Sequence, residues 1–121
     1  MPIRSYRDLE AWQLGMDFVV SVYKLTTSLP AEERYGLVSQ LRRAAVSIPS
    51  NVSEGHQFGG TAYRRYVSMA LGSLAEANTQ LEIALRLRLV SADEFRLITQ
   101  QSTRVRQVLH GLRRSLSNTS S

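Results

Sequence analysis

Apolar residues in this chain of 121 residues recur at three- and four-residue steps in four long runs, and no run alternates as a strand would. In the first, Leu9, Trp12, Met16, Val19 and Tyr23 fall on one helix face, with Ser5 and Asp8 spaced as a capping box before it. The second opens at LPAEER, where Pro30 suits a first helical turn and Glu32 and Glu33 complement the helix dipole. Its stripe is Leu37, Leu41, Ala44, Ile48, Asn51 and Gly55. The third follows Gly59 and Gly60, with Thr61 as its N-cap, and steps by fours and threes through Tyr63, Val67, Ala70, Leu74, Ala77, Leu81 and Ala84. The fourth opens with a Ser91/Glu94 capping box and runs through Phe95, Ile98, Ser102, Val105, Leu109, Leu112 and Leu116, a heptad interrupted by one serine.

This pattern predicts helices over about 8–28, 31–56, 62–88 and 92–116, with a frayed polar tail at 117–121. Four helices of roughly 30–40 Å, joined by short connections, make a single all-α domain: an up-down-up-down antiparallel four-helix bundle. Apolar residues also lie outside the stripes, among them Phe18, Val20, Val22 and Leu25 in the first helix and Tyr66, Met69, Leu71, Ile83 and Leu87 in the third. A helix that is apolar on several sides must be covered on several sides, so the bundle is expected to associate with itself.

Charge bears on partners more than on fold. The net charge is +5, and every basic residue except Lys24 is an arginine. Arginine forks onto phosphate and carboxylate and stacks on flat rings, which points to nucleic acid or another acidic partner. The bundle topology gathers Arg4, Arg7, Arg64, Arg65, Arg113 and Arg114 at one end, against Asp8, Glu10 and Glu54. Arg42, Arg43, Arg104 and Arg106 fall nearer the middle. Cysteine is absent, which excludes disulfides, thiolate metal sites and cysteine nucleophiles. The first residues carry no apolar leader run, and no apolar run is long enough to span a bilayer. A cytoplasmic location without membrane contact is the expectation.

The stretch AAVSIPSNVSEG, Ala44 to Gly55, holds the densest polar chemistry on an apolar face. Pro49 lacks an N–H and crowds the carbonyl four residues back, so a bend is expected there. Ser47, Ser50 and Asn51 can donate to freed carbonyls. With the second helix antiparallel to the third, Asn51 and Glu54 are expected to face Ser68, Ser73 and Glu76. Ser47, Pro49, Asn51, Glu54, Ser73 and Glu76 then form a structural polar layer. The alternative is a Glu54–Glu76 carboxylate pair that binds metal or moves protons. It lacks the Glu-x-x-His motifs of carboxylate-bridged bundles, since neither His56 nor His110 belongs to one. Gly59-Gly60 is a turn and not a phosphate loop, and no nucleophile elbow is present. No catalytic, cofactor or metal residue is assigned.

Four segments carry a resemblance: DLEAWQ at 8–13, VYKLT at 22–26, LPAEERYGLVSQLRRAAVSIPSNVSEG at 29–55 and YVSMALGSLAEANTQLEIA at 66–84. They resemble a bacterial four-helix-bundle family encoded in intervening sequences of large-subunit ribosomal RNA genes. The accessory protein of diversity-generating retroelements is a relative of that family. The resemblance implies a ring-like cyclic homopentamer with a basic surface, nucleic-acid binding and no enzymatic activity. Asn78 departs from the more apolar residue of many members.

The expected function is therefore a non-enzymatic oligomer that binds nucleic acid, RNA more than DNA, through its basic end. Arg64, Arg65, Arg113 and Arg114 are the first candidates, with Arg4 and Arg7 beside them. Arg42 and Arg43 compete as contacts or as subunit-interface residues. The alternative is an adaptor whose basic end docks an acidic protein partner.

Overall fold

Helix α1 covers Glu10–Thr27, α2 Ser39–Phe58, α3 Gly60–Arg86 and α4 Ala92–Leu116. This computed structural model describes residues 3–116, so the tail at 117–121 lies outside the described residues. Among the described residues no strand forms. Each helix packs on two neighbours, α1 on α2 and α4, and α3 on α2 and α4. Cross-helix contacts set the directions. Thr26 meets Arg42, Gln40 meets Gln80, Ser68 meets Arg113, and Glu10 meets Arg104. Every neighbouring pair is antiparallel, which makes the up-down-up-down bundle that the four periodic runs predict.

The helix starts depart from expectation in three places. The Ser5/Asp8 capping box forms, with the Asp8 carboxylate accepting from the Ser5 N–H at 3.3 Å, but it closes a 3-10 turn at Tyr6–Asp8. Leu9 is extended, and α1 begins only at Glu10. After Pro30 the chain forms a 3-10 turn at Ala31–Glu33 and then a wide π turn at Arg34–Val38, so α2 begins at Ser39 and not near residue 31. The wide turn lets the sequence neighbours Leu37 and Val38 both reach an end cluster with Leu29, Ala84 and Val90. Thr61 is not an N-cap. Gly59 alone separates α2 from α3, at φ 67°, and Gly60 opens α3 at φ 57°, a region that favours glycine.

Packing on α3 and α4 follows the predicted heptads. Val67, Ala70, Leu74, Ala77, Leu81 and Ala84 are buried on α3, and Ile98, Ser102, Val105 and Leu109 on α4. Ser102, the serine that interrupts the α4 heptad, finds its partner across the α3–α4 seam: its Oγ donates to Asn78 Oδ1 at 2.7 Å. On α1 the buried face is rotated from the expected stripe. It consists of Ala11, Gly15, Phe18, Val22 and Thr26, while Met16 and Tyr23 are exposed and Trp12 and Val19 half-buried. Small residues let α1 approach the core, and the larger ones flank it. Phe18 and Val22 are fully buried, each worth roughly 1.5–3 kcal/mol of transfer free energy. On α2, Val52 is buried where the stripe predicted Asn51.

Candidate functional site

Four elements meet at one end of the bundle: the 3-10 turn before α1, the last turn of α2, the first turns of α3 and the last turns of α4. Arg4, Arg7, Arg64, Arg65 and Arg114 are exposed there. Arg113 is half-buried. Its Nη1 donates to Ser68 Oγ at 3.3 Å, and its Nη2 lies 3.3 Å from His110 Nδ1. A guanidinium only donates, so a hydrogen bond here uses the imidazole tautomer whose Nδ1 carries no proton. Of the acids assigned to this end, Asp8 binds the backbone N–H groups of Arg4 and Ser5. Glu10 pairs with Arg104 at 2.9 Å. That exposed bridge contributes at most about 1 kcal/mol, but it removes one acid from opposition to the arginines.

Aromatic rings sit among these charges. Tyr6 meets Trp12 edge-on at 5.3 Å between centroids, with the Arg7 guanidinium 5.4 Å from the Tyr6 ring. Across the Gly59 joint, Phe58 stacks on Tyr66 at 5.6 Å and 19°, and Arg65 lies 5.6 Å from the Tyr66 ring. His56 meets Tyr63 edge-on at 5.8 Å. Burial pushes the Tyr63 phenol above its ordinary value of 10.0. Gly55 makes this close seam: a Cβ there would lie 2.8 Å from Tyr66 Cβ and 3.2 Å from the Tyr63 carbonyl.

The Arg42 and Arg43 pair lies elsewhere, near the start of α2. Arg42 is half-buried; Nε donates to Thr26 Oγ1 at 2.8 Å and Nη2 to the Tyr23 carbonyl at 3.4 Å. Its guanidinium also covers the Tyr23 ring at 4.4 Å. A cation beside the last carbonyls of α1 complements the negative end of that helix dipole. Arg43 is exposed and reaches back to Ser39 Oγ at 3.2 Å. Level matching across α2 and α3 puts this pair on the order of 20 Å from Arg65, at 1.5 Å per residue.

Comparison with known proteins then decides the lineage. The family model described as 23S rRNA-intervening sequence protein matches residues 7–111. The chain belongs to this family. A crystal structure of a protein of unknown function from the S23 ribosomal protein family of Bacteroides thetaiotaomicron shares its fold, with a TM-score of 0.80 at 21% identity. That likeness covers 86% of this chain and 95% of the other. No curated protein matches.

In this family member the proline-centred stretch is not an interhelical polar layer. Asn51 Nδ2 donates to the Ser47 carbonyl at 2.8 Å, Ser47 Oγ to Ala44 at 3.0 Å and Ser50 Oγ to Val46 at 2.9 Å, all within α2. Ser73 is half-buried, and Glu54 and Glu76 are both exposed. The layer expected of Ser47, Pro49, Asn51, Glu54, Ser73 and Glu76 is therefore corrected, because carboxylates on the outward side keep their hydration. No carboxylate pair forms either. Gln80 stands opposite Gln40 and Gly55 opposite Tyr63, which puts Glu76 on the order of 15 Å along the axis from Glu54. Ser68, expected near Glu54, instead accepts from Arg113 of α4.

Pro49 itself is buried and packs on α1: a Cβ on Gly15 would touch its Cβ and Cδ at 3.5 Å. The helix assignment runs through the proline unbroken from Ser39 to Phe58. Sequence reasoning missed Gly15, which lies off the large apolar stripe of α1. It also missed the Phe58–Tyr66 stack, which depends on the close approach of α2 and α3 at Gly55. Among the described residues, no group of three His, Asp or Glu side chains could hold a metal ion, and no helix is long and apolar enough to cross a membrane.

Proposed function

We propose that this chain is a non-enzymatic, self-assembling bundle that binds nucleic acid, RNA in preference to DNA, through arginine contacts to the phosphate backbone. The observation that carries this is the set of exposed arginines at one end, Arg4, Arg7, Arg64, Arg65 and Arg114, of which Arg7 and Arg65 lie beside tyrosine rings. The family's description, which ties it to 23S rRNA genes, agrees with an RNA partner. Cyclic association, as a homopentamer in the cytoplasm, fits the apolar residues left exposed on α1 and α2: Met16, Val20, Tyr23 and Val46. A ring would repeat the basic end and raise a micromolar contact to a tighter one through effective concentration.

The test reverses Arg64, Arg65 and Arg114 to glutamate and leaves Arg113 in place, because it holds Ser68 and His110. Binding to a labelled RNA strand should vanish while the assembly mass by light scattering is unchanged. In the unmutated protein, log affinity should fall against log salt with a slope of about −0.7 to −0.9 per phosphate contacted. Unchanged affinity in the reversed variant overturns the proposal. Capture of a partner protein that survives nuclease treatment would assign the same end to an acidic protein.

A further inference from the structure

We infer that the Phe58–Tyr66 stack is a docking platform for an unpaired nucleobase, so that the basic end selects single-stranded over double-stranded nucleic acid. This inference rests on the nucleic-acid function proposed above and names the form of nucleic acid it takes.

Phe58 is 66% exposed, more than any other exposed large hydrophobic described in the chain. It closes α2 immediately before the Gly59 joint, whose φ of 67° fixes where the helix ends. The ring stacks on Tyr66 at 19°, and Tyr66 is drawn against α2 because Gly55 carries no side chain. Two flat rings are thus held in one orientation with much of the outer one in water. Offset stacking is the preferred geometry between π surfaces, and a base can extend such a stack whatever its identity. In a duplex each base is already covered on both faces by its neighbours, so a projecting ring can take up only an unpaired one.

Charge complementarity favours a nucleotide over a neutral apolar occupant. Arg64 and Arg65 are exposed in the first turns of α3, and Arg65 lies 5.6 Å from the Tyr66 ring. The α3 side is therefore where the phosphates of the docked nucleotide find cations. Glu54 lies on α2, across the Gly59 joint from the α3 arginines. It is exposed on α2 four residues before Phe58, on the same helix face. Its carboxylate repels a backbone passing along α2, so the strand is steered toward α3.

The experiment uses the full chain and fluorescence anisotropy with three labelled probes of equal length: an oligouridylate, the same strand with abasic sites, and an RNA duplex. The oligouridylate should bind roughly five- to a hundred-fold tighter than the abasic strand. Phe58→Ala should erase that difference without changing abasic or duplex affinity, and Phe58→Trp should keep it. Glu54→Gln should tighten all three. Because Phe58 is exposed, the melting temperature of Phe58→Ala should match that of the parent. Equal, salt-sensitive affinity for all three probes would overturn the platform and leave the nucleic-acid function standing. Binding of none would remove both. A change of assembly mass in Phe58→Ala would make the ring a subunit contact and overturn the platform.

Discussion

The two seams of α2 are built from the same parts. Each has a buried glycine, and each has an arginine near a tyrosine ring. On the α1 side, Gly15 faces Pro49, and Arg42 covers Tyr23. On the α3 side, Gly55 faces Tyr63 and Tyr66, and Arg65 lies beside Tyr66. The outcomes differ. Around Gly15 a methyl group would meet its neighbours at 3.5 Å, an ordinary contact, whereas at Gly55 it would meet Tyr66 Cβ at 2.8 Å. Arg42 is bound by Thr26 and the Tyr23 carbonyl, whereas Arg65 is exposed. Basic residues alike in composition thus divide into one that holds helices together and one available to a partner. What separates them is that the Arg42 guanidinium finds acceptors on α1, the Thr26 hydroxyl and the Tyr23 carbonyl.

The largest break in this comparison should come from Gly55→Ala, which overpacks the α2–α3 seam against backbone. It should cost about 1–3 kcal/mol in urea unfolding at fixed protein concentration. A loss below about 0.5 kcal/mol would show that the tyrosines give way freely. Next is Arg42→Ala, which removes two hydrogen bonds and the Tyr23 contact. A loss of about 1–2 kcal/mol is expected with no change in nucleic-acid affinity. Arg42→Lys should recover only part of it, because an ammonium cannot fork. Weakened RNA binding at full stability would move Arg42 to the interface. Gly15→Ala should have the opposite sign, stabilising by about 0.4–1 kcal/mol, since alanine fits the gap and restricts the unfolded chain. Destabilisation there would mean that the α1–α2 seam is as tight as its counterpart. Arg43→Ala should be smallest, within about 0.5 kcal/mol, because its described bond to Ser39 is exposed.

The fold was legible where large and small apolar residues alternate regularly. On α3, Val67, Leu74 and Leu81 are separated by Ala70 and Ala77, so periodicity alone locates the buried face. On α1 the rule of following the largest apolar residues failed. Trp12, Met16 and Tyr23 lie on the flank, and the closest approach falls to Ala11 and Gly15, which carry little hydrophobic signal. Pro49 hid a packing role in a related way. Its missing N–H suggested a bend, while its buried ring serves as packing surface against α1. The gathering of arginines followed from topology and was readable. The Phe58–Tyr66 stack was not, because it depends on how closely two helices approach at Gly55, a distance that no spacing rule supplies. The Asn78–Ser102 bond shows the same limit: Ser102 alone is an interruption, and only the α3–α4 register gives it Asn78 as a partner.

The one-residue joint at Gly59 also orders the folding of the chain. Joining α2 to α3 closes almost no loop, so their contacts cost little chain entropy to form. The α1–α4 seam brings together Glu10 and Arg104, 94 residues apart in sequence. A hairpin of α2 and α3 can therefore assemble early, with α1 and α4 docking on it afterwards. Weakening the outer seam then hastens unfolding and leaves the folding rate nearly untouched, whereas damage at Gly55 slows folding itself. The short joint makes the α2–α3 pair, and with it Arg64 and Arg65, the part of the bundle whose contacts need the least loop closure.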